Sequence, residues 1–123
     1  MRCDWEKLRA LALAEVEATL AALPPPLLAQ ARKLPVTFEH QPGLLLQADG
    51  IESDTLGLFV GAEFADEGAV TLPPHIILYL DNIWKFAEGD QTTFRDEVHT
   101  TLLHELGHYL GLDEDGLIER GLG

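Results

Sequence analysis

Residues 104–114 read HELGHYLGLDE, and this segment contains the side chains best placed to do chemistry together. His104 and His108 stand four residues apart with Glu105 between them. On a helix, where each residue turns by about 100°, the two imidazoles fall about 40° apart and could bind one metal ion. Glu105 would project beside that ion, where it could hold a water molecule. The spacing therefore predicts two metal ligands and a general base.

The alternative is that these histidines are ordinary polar residues on an amphipathic helix. Three uncommon residue types at fixed positions occur by chance in well under about one chain in a hundred of this length. Gly111 and Glu114 extend the pattern and make coincidence rarer. We therefore interpret the full set as a metal site.

A third ligand has to come from beyond the end of this helix. A further four-residue step falls on Leu112, which cannot bind a metal, and Gly111 is suited to end the helix in a left-handed conformation. The glycine-to-ligand spacing of the longer HExxHxxGxxH pattern selects Glu114. Its neighbours Asp113 and Asp115 stay open as alternatives.

A catalytic zinc ion takes three protein ligands and leaves a position for water, whose pKa falls to about 7. His104, His108 and Glu114 supply a suitable set, and Glu105 would accept a proton from that water and pass it to a departing amine. The predicted reaction is hydrolysis of a peptide bond. Weaker candidates for orienting an imidazole are Glu97 and Thr101, and for stabilising an oxyanion Tyr79, Tyr109 and Arg120. We do not expect the histidines outside the motif, His40, His75 and His99, to bind metal.

Hydrophobic periodicity predicts an amphipathic helix over residues 4–23, with Asp4 as its N-cap, ended by three consecutive prolines. A short helix over 27–33 would follow. The last long helix opens at Thr92 or Thr93, ends at Gly111 and buries an apolar side that includes Phe94, Val98, Leu102, Leu103, Leu106 and Leu110. A tail over 114–121 is long enough for one more helix.

Alternating or continuous apolar runs predict strands over residues 34–40, 56–64 and 75–80. The glycines of the second run indicate a strand that another element approaches closely. The third run, HIILYL, could form a sheet edge that binds an extended peptide, or a central strand of the core. Residues 44–55 are predicted to be a short strand or a loop, and residues 83–87 a short helix capped by Asp81 or Asn82.

Composition favours an ordinary soluble globule, expected to be one domain over residues 1–123. The net charge of -13 opposes binding to nucleic acid and to anionic membranes. No Lys or Arg lies between Lys33 and Lys85, an interval that contains eight acids, Glu39, Asp49, Glu52, Asp54, Glu63, Asp66, Glu67 and Asp81. The single cysteine, Cys3, and the absence of a signal-peptide or membrane-span pattern predict a cytoplasmic protein.

Four segments, LPVTFE, LGLFVG, LPPHIILYLDN and HELGHYLGLDEDGL, follow one another in an order that resembles the small bacterial zincin-like proteins, or mini-zincins. The resemblance implies an α+β fold, with a small mixed sheet packed against helices and the HExxH motif on a long C-terminal helix. It also implies zinc-dependent cleavage of a peptide or protein substrate, with ligands at His104, His108 and Glu114. That family typically has aspartate where this chain has Glu114, and many members have a histidine where Tyr109 stands.

Two other functions remain open at this point. The chain could bind a metal or a peptide without turnover, because it is small and has no obvious domain to cover a substrate. A metal-dependent ribonuclease also spaces two histidines by four residues, but Glu105 and the negative charge disfavour it.

Overall fold

The structure is a computed structural model that describes residues 4–60 and 74–110, without the side chains of His108 and Leu110. Its elements in chain order are the helices and strands α1 (Trp5–Ala21), α2 (Pro25–Ala31), β1 (Val36–Glu39), α3 (Leu44–Ala48), β2 (Gly57–Val60), β3 (His75–Tyr79), α4 (Leu80–Phe86) and α5 (Gln91–Leu110). The expected α+β class, with a small mixed sheet packed against helices, is confirmed. Among the described residues, no helix is both long and apolar enough to cross a membrane.

The three described strands form one sheet in the order β1-β3-β2. β1 runs parallel to β3, with Val36 opposite Ile76, whereas β2 runs antiparallel to it, with Phe59 opposite Ile76. Because β3 has a partner on both sides, the prediction of an edge strand at 75–80 is wrong, and the alternative of a central strand is confirmed. The nearly continuous apolar sequence of β3 reflects burial of both its faces, since Ile76 and Leu78 lie in one buried cluster and Ile77 and Tyr79 in another.

One face of the sheet packs against α1 and α5 to form the main core. Ile76 and Leu78 of β3 join it and are completely buried. α1 contributes a stripe of residues at four-residue intervals, Leu8, Ala12, Val16 and Leu20. α5 contributes the predicted apolar side, of which Phe94, Val98, Leu102, Leu103 and Leu106 are buried, while the side chain of Leu110 is outside the description. Helical periodicity thus predicted both contact surfaces correctly.

The proline run has a second role besides ending α1. α1 stops at Ala21, two residues before the predicted end, and α2 begins at Pro25, two residues before the predicted start. Proline suits the first turn of a helix, since its fixed φ is helical and its missing N–H would have no partner there. Asp4 occupies the N-cap position of α1, although its side chain makes no capping hydrogen bond.

Residues 44–48 form the helix α3, so the prediction of a strand or loop there is wrong. The segment LLLQA consists entirely of good helix formers and has no β-branched residue, which the leucine triplet alone had obscured. Leu44 and Leu45 remain 82% and 85% exposed, so their hydrophobicity does not reflect burial in the sheet.

Two helix starts also differ from expectation. α4 begins at Leu80 with Tyr79 at its N-cap, so neither Asp81 nor Asn82 caps it. α5 begins at Gln91, and Asp90 rather than a threonine caps it, since the Thr93 backbone N–H donates to Asp90 Oδ2 at 2.8 Å. The predicted end of α5 at Gly111 and the predicted tail helix over 114–121 lie outside the described residues.

Candidate metal and catalytic site on α5

The motif residues 104–108 fall within the bounds of α5, whose helical backbone continues to Leu110. His104 is exposed, whereas Glu105 next to it is buried, with 9% of its surface accessible. Both side chains take part in interactions. The side chain of His108 is outside the description, as are Glu114 and the alternative ligands Asp113 and Asp115. Among the side chains that are described, no three His, Cys, Asp or Glu residues form a group that could hold a metal ion.

Glu105 lies on the side of α5 that faces β2. Thr101, Glu105 and Tyr109 follow one another at four-residue intervals and so share one side of the helix. A Cβ on Gly57 would lie 2.6 Å from Thr101 Cγ2, which places the start of β2 directly against α5. At the other end of the row, the ring of Tyr109 packs edge-on against that of Phe59, with centroids 5.8 Å apart. Glu105 therefore lies between two contacts that hold β2 against the helix.

Gly57 makes this close approach possible. A methyl group there would also lie 3.3 Å from Leu78 Cδ2 and 3.4 Å from the Ile77 carbonyl oxygen, so it has no room to move. The expectation that the glycine-containing strand is approached closely by another element is confirmed at this residue. The sequence showed the glycine but could not show that α5 was the neighbour.

Burial of a carboxylate is unusual, because an ionised acid loses its hydration unless hydrogen bonds or charges replace it. Only three polar or charged residues are buried in the described part of the chain, Thr19, Thr101 and Glu105. Thr101, a predicted candidate for orienting an imidazole, is buried, with its methyl group against Gly57. Glu97, the other candidate for that role, is half-buried on α5.

The three histidines outside the motif lie elsewhere in the fold. His99 Nδ1 lies 2.8 Å from Thr19 Oγ1, on the side of α5 that packs against α1. His40 Nδ1 lies 3.0 Å from Asp81 Oδ2, and its ring packs against Trp5 with centroids 3.9 Å apart. His75 is half-buried at the start of β3 and also has an interaction partner.

The two described tyrosines considered for an oxyanion role are in contrasting places. Tyr79 is completely buried, in a cluster with Val60 and Ile77 on the sheet face opposite α5. Among the described residues its hydroxyl has no hydrogen-bond partner, and burial, with a smaller effect of the nearby Glu39 carboxylate, raises the pKa of Tyr79 to about 12. Tyr109 is half-buried on the side of α5 that carries Glu105. Arg120 lies outside the described residues.

Comparison with known proteins identifies a family for most of the chain. A family model described as zincin-like metallopeptidase matches residues 31–122, about three-quarters of the sequence. The matched segment contains the whole sheet and α5, whereas α1 precedes it. No curated protein matches the chain.

Proposed function

This chain belongs to the zincin-like metallopeptidase family, and we propose that it is a zinc-dependent peptidase whose metal ligands are His104, His108 and Glu114. The observation that carries the proposal is the position of Glu105. It is a buried carboxylate on α5, beside an exposed histidine and between two contacts with β2. A carboxylate held in this way is suited to proton transfer at a neighbouring reactive group.

The donor set fits zinc. Two imidazole nitrogens and one carboxylate form a combination found in catalytic zinc sites. Helical backbone through residue 110 supports His104 and His108 as ligands, since residues four apart lie on one side of a helix. When bound, zinc would polarise the scissile carbonyl and lower the pKa of a water molecule.

Glu105 would act as the general base and then as the general acid. It would accept a proton from the water as the oxygen of that water forms a bond to the carbonyl carbon. It would then pass the proton to the amide nitrogen as the carbon–nitrogen bond breaks, which releases a free amine and a carboxylic acid, and the acid loses its remaining proton to solvent. Packing of Thr101 against Gly57 and of Tyr109 against Phe59 supports this role, because both contacts limit the movement of α5 relative to β2.

The substrate would be an extended peptide bound along β2. Among the described strands β2 stands at the end of the sheet and packs against α5, so it is closer to Glu105 than β1 is. A peptide that adds to a sheet edge is bound through backbone hydrogen bonds, which tolerate many side chains. This assignment replaces β3, which the sequence had suggested for the same purpose.

The test combines metal analysis with cleavage assays on the full chain. We expect stoichiometric zinc in freshly isolated protein, and peptide cleavage that a chelator abolishes. The Glu105→Gln variant should retain its fold and lose activity by about 10²–10⁴-fold, the usual contribution of general acid–base catalysis. Asp96→Asn, which removes an exposed carboxylate from the same helix, is the matched control and should cleave normally.

Two results would contradict the proposal. Unchanged cleavage by Glu105→Gln would remove Glu105 from the reaction. Stoichiometric zinc without cleavage of any member of a broad peptide library would identify a metal-binding protein without turnover.

A further inference from the structure

A cavity of about 330 Å³ lies between α4 and the segment that leads into β2. Its wall includes Asp54 and Leu56 on one side and Asn82, Lys85 and Phe86 of α4 on the other. None of the described residues that line it belongs to α5. The cavity is therefore separate from the site that contains Glu105.

The two sides of the cavity are fixed to each other by hydrogen bonds. The side-chain amide nitrogen of Asn82 donates to the carbonyl oxygens of Ser53 and Thr55, at 2.8 and 2.9 Å. Asn82, Lys85 and Phe86 stand at positions i, i+3 and i+4 of α4 and therefore share one side of that helix. The cavity is thus already formed in the protein without a ligand.

Two opposite charges line this cavity without pairing to each other. Lys85 is the only Lys or Arg between Lys33 and Arg95, in a part of the sequence that is rich in acids. Of the ion pairs among the described residues, none within 4.0 Å includes Lys85 or Asp54. Both groups therefore remain available to a ligand.

Two apolar side chains, Leu56 and Phe86, line the same cavity. Leu56 is half-buried, and Phe86 leaves 59% of its surface in contact with water, which makes it one of the most exposed large hydrophobic residues of the described chain. An apolar group placed against this ring would remove its surface from water and gain hydrophobic stabilisation.

We propose that this cavity binds a zwitterion with an apolar side chain, of the size of an amino acid or a dipeptide. Its carboxylate would pair with Lys85, its ammonium group with Asp54, and its side chain would cover Phe86 and Leu56. The volume suits a small ligand. The inference does not depend on peptidase activity, although such a zwitterion has the chemistry of the product of a peptidase.

The test is a titration of the isotope-labelled full chain followed by NMR. Phenylalanine is the first probe, and N-acetylphenylalanine and phenylalaninamide are matched probes that lack the ammonium and carboxylate charge, respectively. The dipeptide leucylphenylalanine, added to the Glu105→Gln variant to prevent hydrolysis, distinguishes an amino-acid site from a dipeptide site. Saturable shifts should be confined to residues around the cavity.

The variants assign the two charges. Lys85→Gln should weaken phenylalanine binding about tenfold, as expected for loss of one charge-assisted contact, yet leave phenylalaninamide unaffected. Asp54→Asn should weaken phenylalanine binding and leave N-acetylphenylalanine unaffected. Lys33→Gln and Asp49→Asn, at exposed positions that do not line this cavity, are the matched controls.

Three outcomes would overturn the proposal. They are equal binding of all three phenylalanine probes, insensitivity of phenylalanine binding to both cavity variants, and the absence of saturable binding at millimolar concentrations. Both substituted side chains are exposed, so the variants should fold, which thermal unfolding would verify.

Discussion

The two long sides of α5 carry different kinds of side chain, although they belong to one continuous helix. The side that faces α1 is largely apolar, and its His99 ring lies 2.8 Å from the Thr19 hydroxyl and 4.0 Å from the Glu15 carboxylate of α1. The side that faces β2 carries Thr101, the buried acid Glu105 and the half-buried Tyr109. We expect that one side fixes the helix in the fold, while the other carries the proposed general base, Glu105.

The two sides also differ in how their polar groups relate to the family. α1, which receives the His99 side, lies outside the segment matched by the zincin-like family model, whereas β2 lies within it. The contact between His99 and Thr19 satisfies a buried hydroxyl and needs no further role. We therefore expect the α1 side to affect stability and the β2 side to affect catalysis.

The largest effect should separate the two histidines of α5 that stand five residues apart. His104→Gln should lose most of its bound zinc and nearly all peptide cleavage, because a proposed ligand is removed. His99→Gln should keep both and lose only stability, since its partner is Thr19. Metal analysis, cleavage rates and thermal unfolding would be measured for both variants. Equal loss of zinc in both would contradict the expected difference between His104 and His99.

A second substitution should disturb the β2 side through its packing. Gly57→Ala places a methyl group where Thr101 Cγ2 lies 2.6 Å away, so β2 and α5 must separate. Overpacking of this kind costs about 1–3 kcal/mol of unfolding free energy, and cleavage should fall because Glu105 shifts relative to the peptide on β2.

Thr101→Ser provides the matched rescue, because it removes the methyl group that causes the clash. The double variant Gly57→Ala with Thr101→Ser should recover most of both the stability and the cleavage rate. Denaturant unfolding and steady-state kinetics of the four proteins form a double-mutant cycle. If the effects of the two substitutions on stability were simply additive, the contact between Gly57 and Thr101 would not determine the distance between β2 and α5.

A third experiment asks whether a buried polar group away from α5 is also functional. Tyr79→Phe removes a buried hydroxyl that has no partner among the described residues, and should leave cleavage unchanged and stabilise the protein by about 1 kcal/mol. Slower cleavage by this variant would show that the sheet face opposite α5 contributes to the reaction.

The same residue predicts a response to alkali. Because the pKa of Tyr79 is raised from 10.0 to about 12, the folded protein keeps a proton that the unfolded chain releases. Its stabilising contribution is complete below pH 10 and is lost as the pH rises towards 12, by as much as about 2–3 kcal/mol. Denaturant unfolding across this range should show a smaller loss in Tyr79→Phe than in the parent protein.

The smallest effect concerns the start of α5, which both sides share. The Thr93 hydroxyl and backbone N–H donate to Asp90 and lower the pKa of that carboxyl below its ordinary value. Its stabilising contribution is therefore present above the unfolded pKa and is lost as the pH falls through the lower folded value. Asp90→Ala should lower the thermal midpoint slightly at pH 7, without changing zinc content. A measurable change in zinc content would mean that the first turn of α5 influences the metal site.

Several features could be read from local sequence because short-range physics determines them. The periodicity of residues 4–23 and of the last long helix predicted which sides of α1 and α5 are buried. The spacing HELGH predicted a metal and catalytic site, and the family match is consistent with that chemistry. Two further local signals were present but did not enter the prediction. LLLQA has high helix propensity, although a strand or loop was predicted there. The Asp-x-x-Thr spacing of Asp90 and Thr93 indicates a helix cap at Asp90, although Thr92 or Thr93 was predicted to open the helix.

The relations between distant segments were decided only by the tertiary structure. The sequence could not tell whether 75–80 was an edge or a central strand, because hydrophobicity reports burial and not the number of neighbours. Nor could it show that Gly57 meets Thr101, that Tyr79 is buried away from α5, or that Lys85 and Asp54 share a cavity. A local pattern fixes which groups could react, but their surroundings depend on contacts between residues far apart in the chain, which are set by packing of the whole fold.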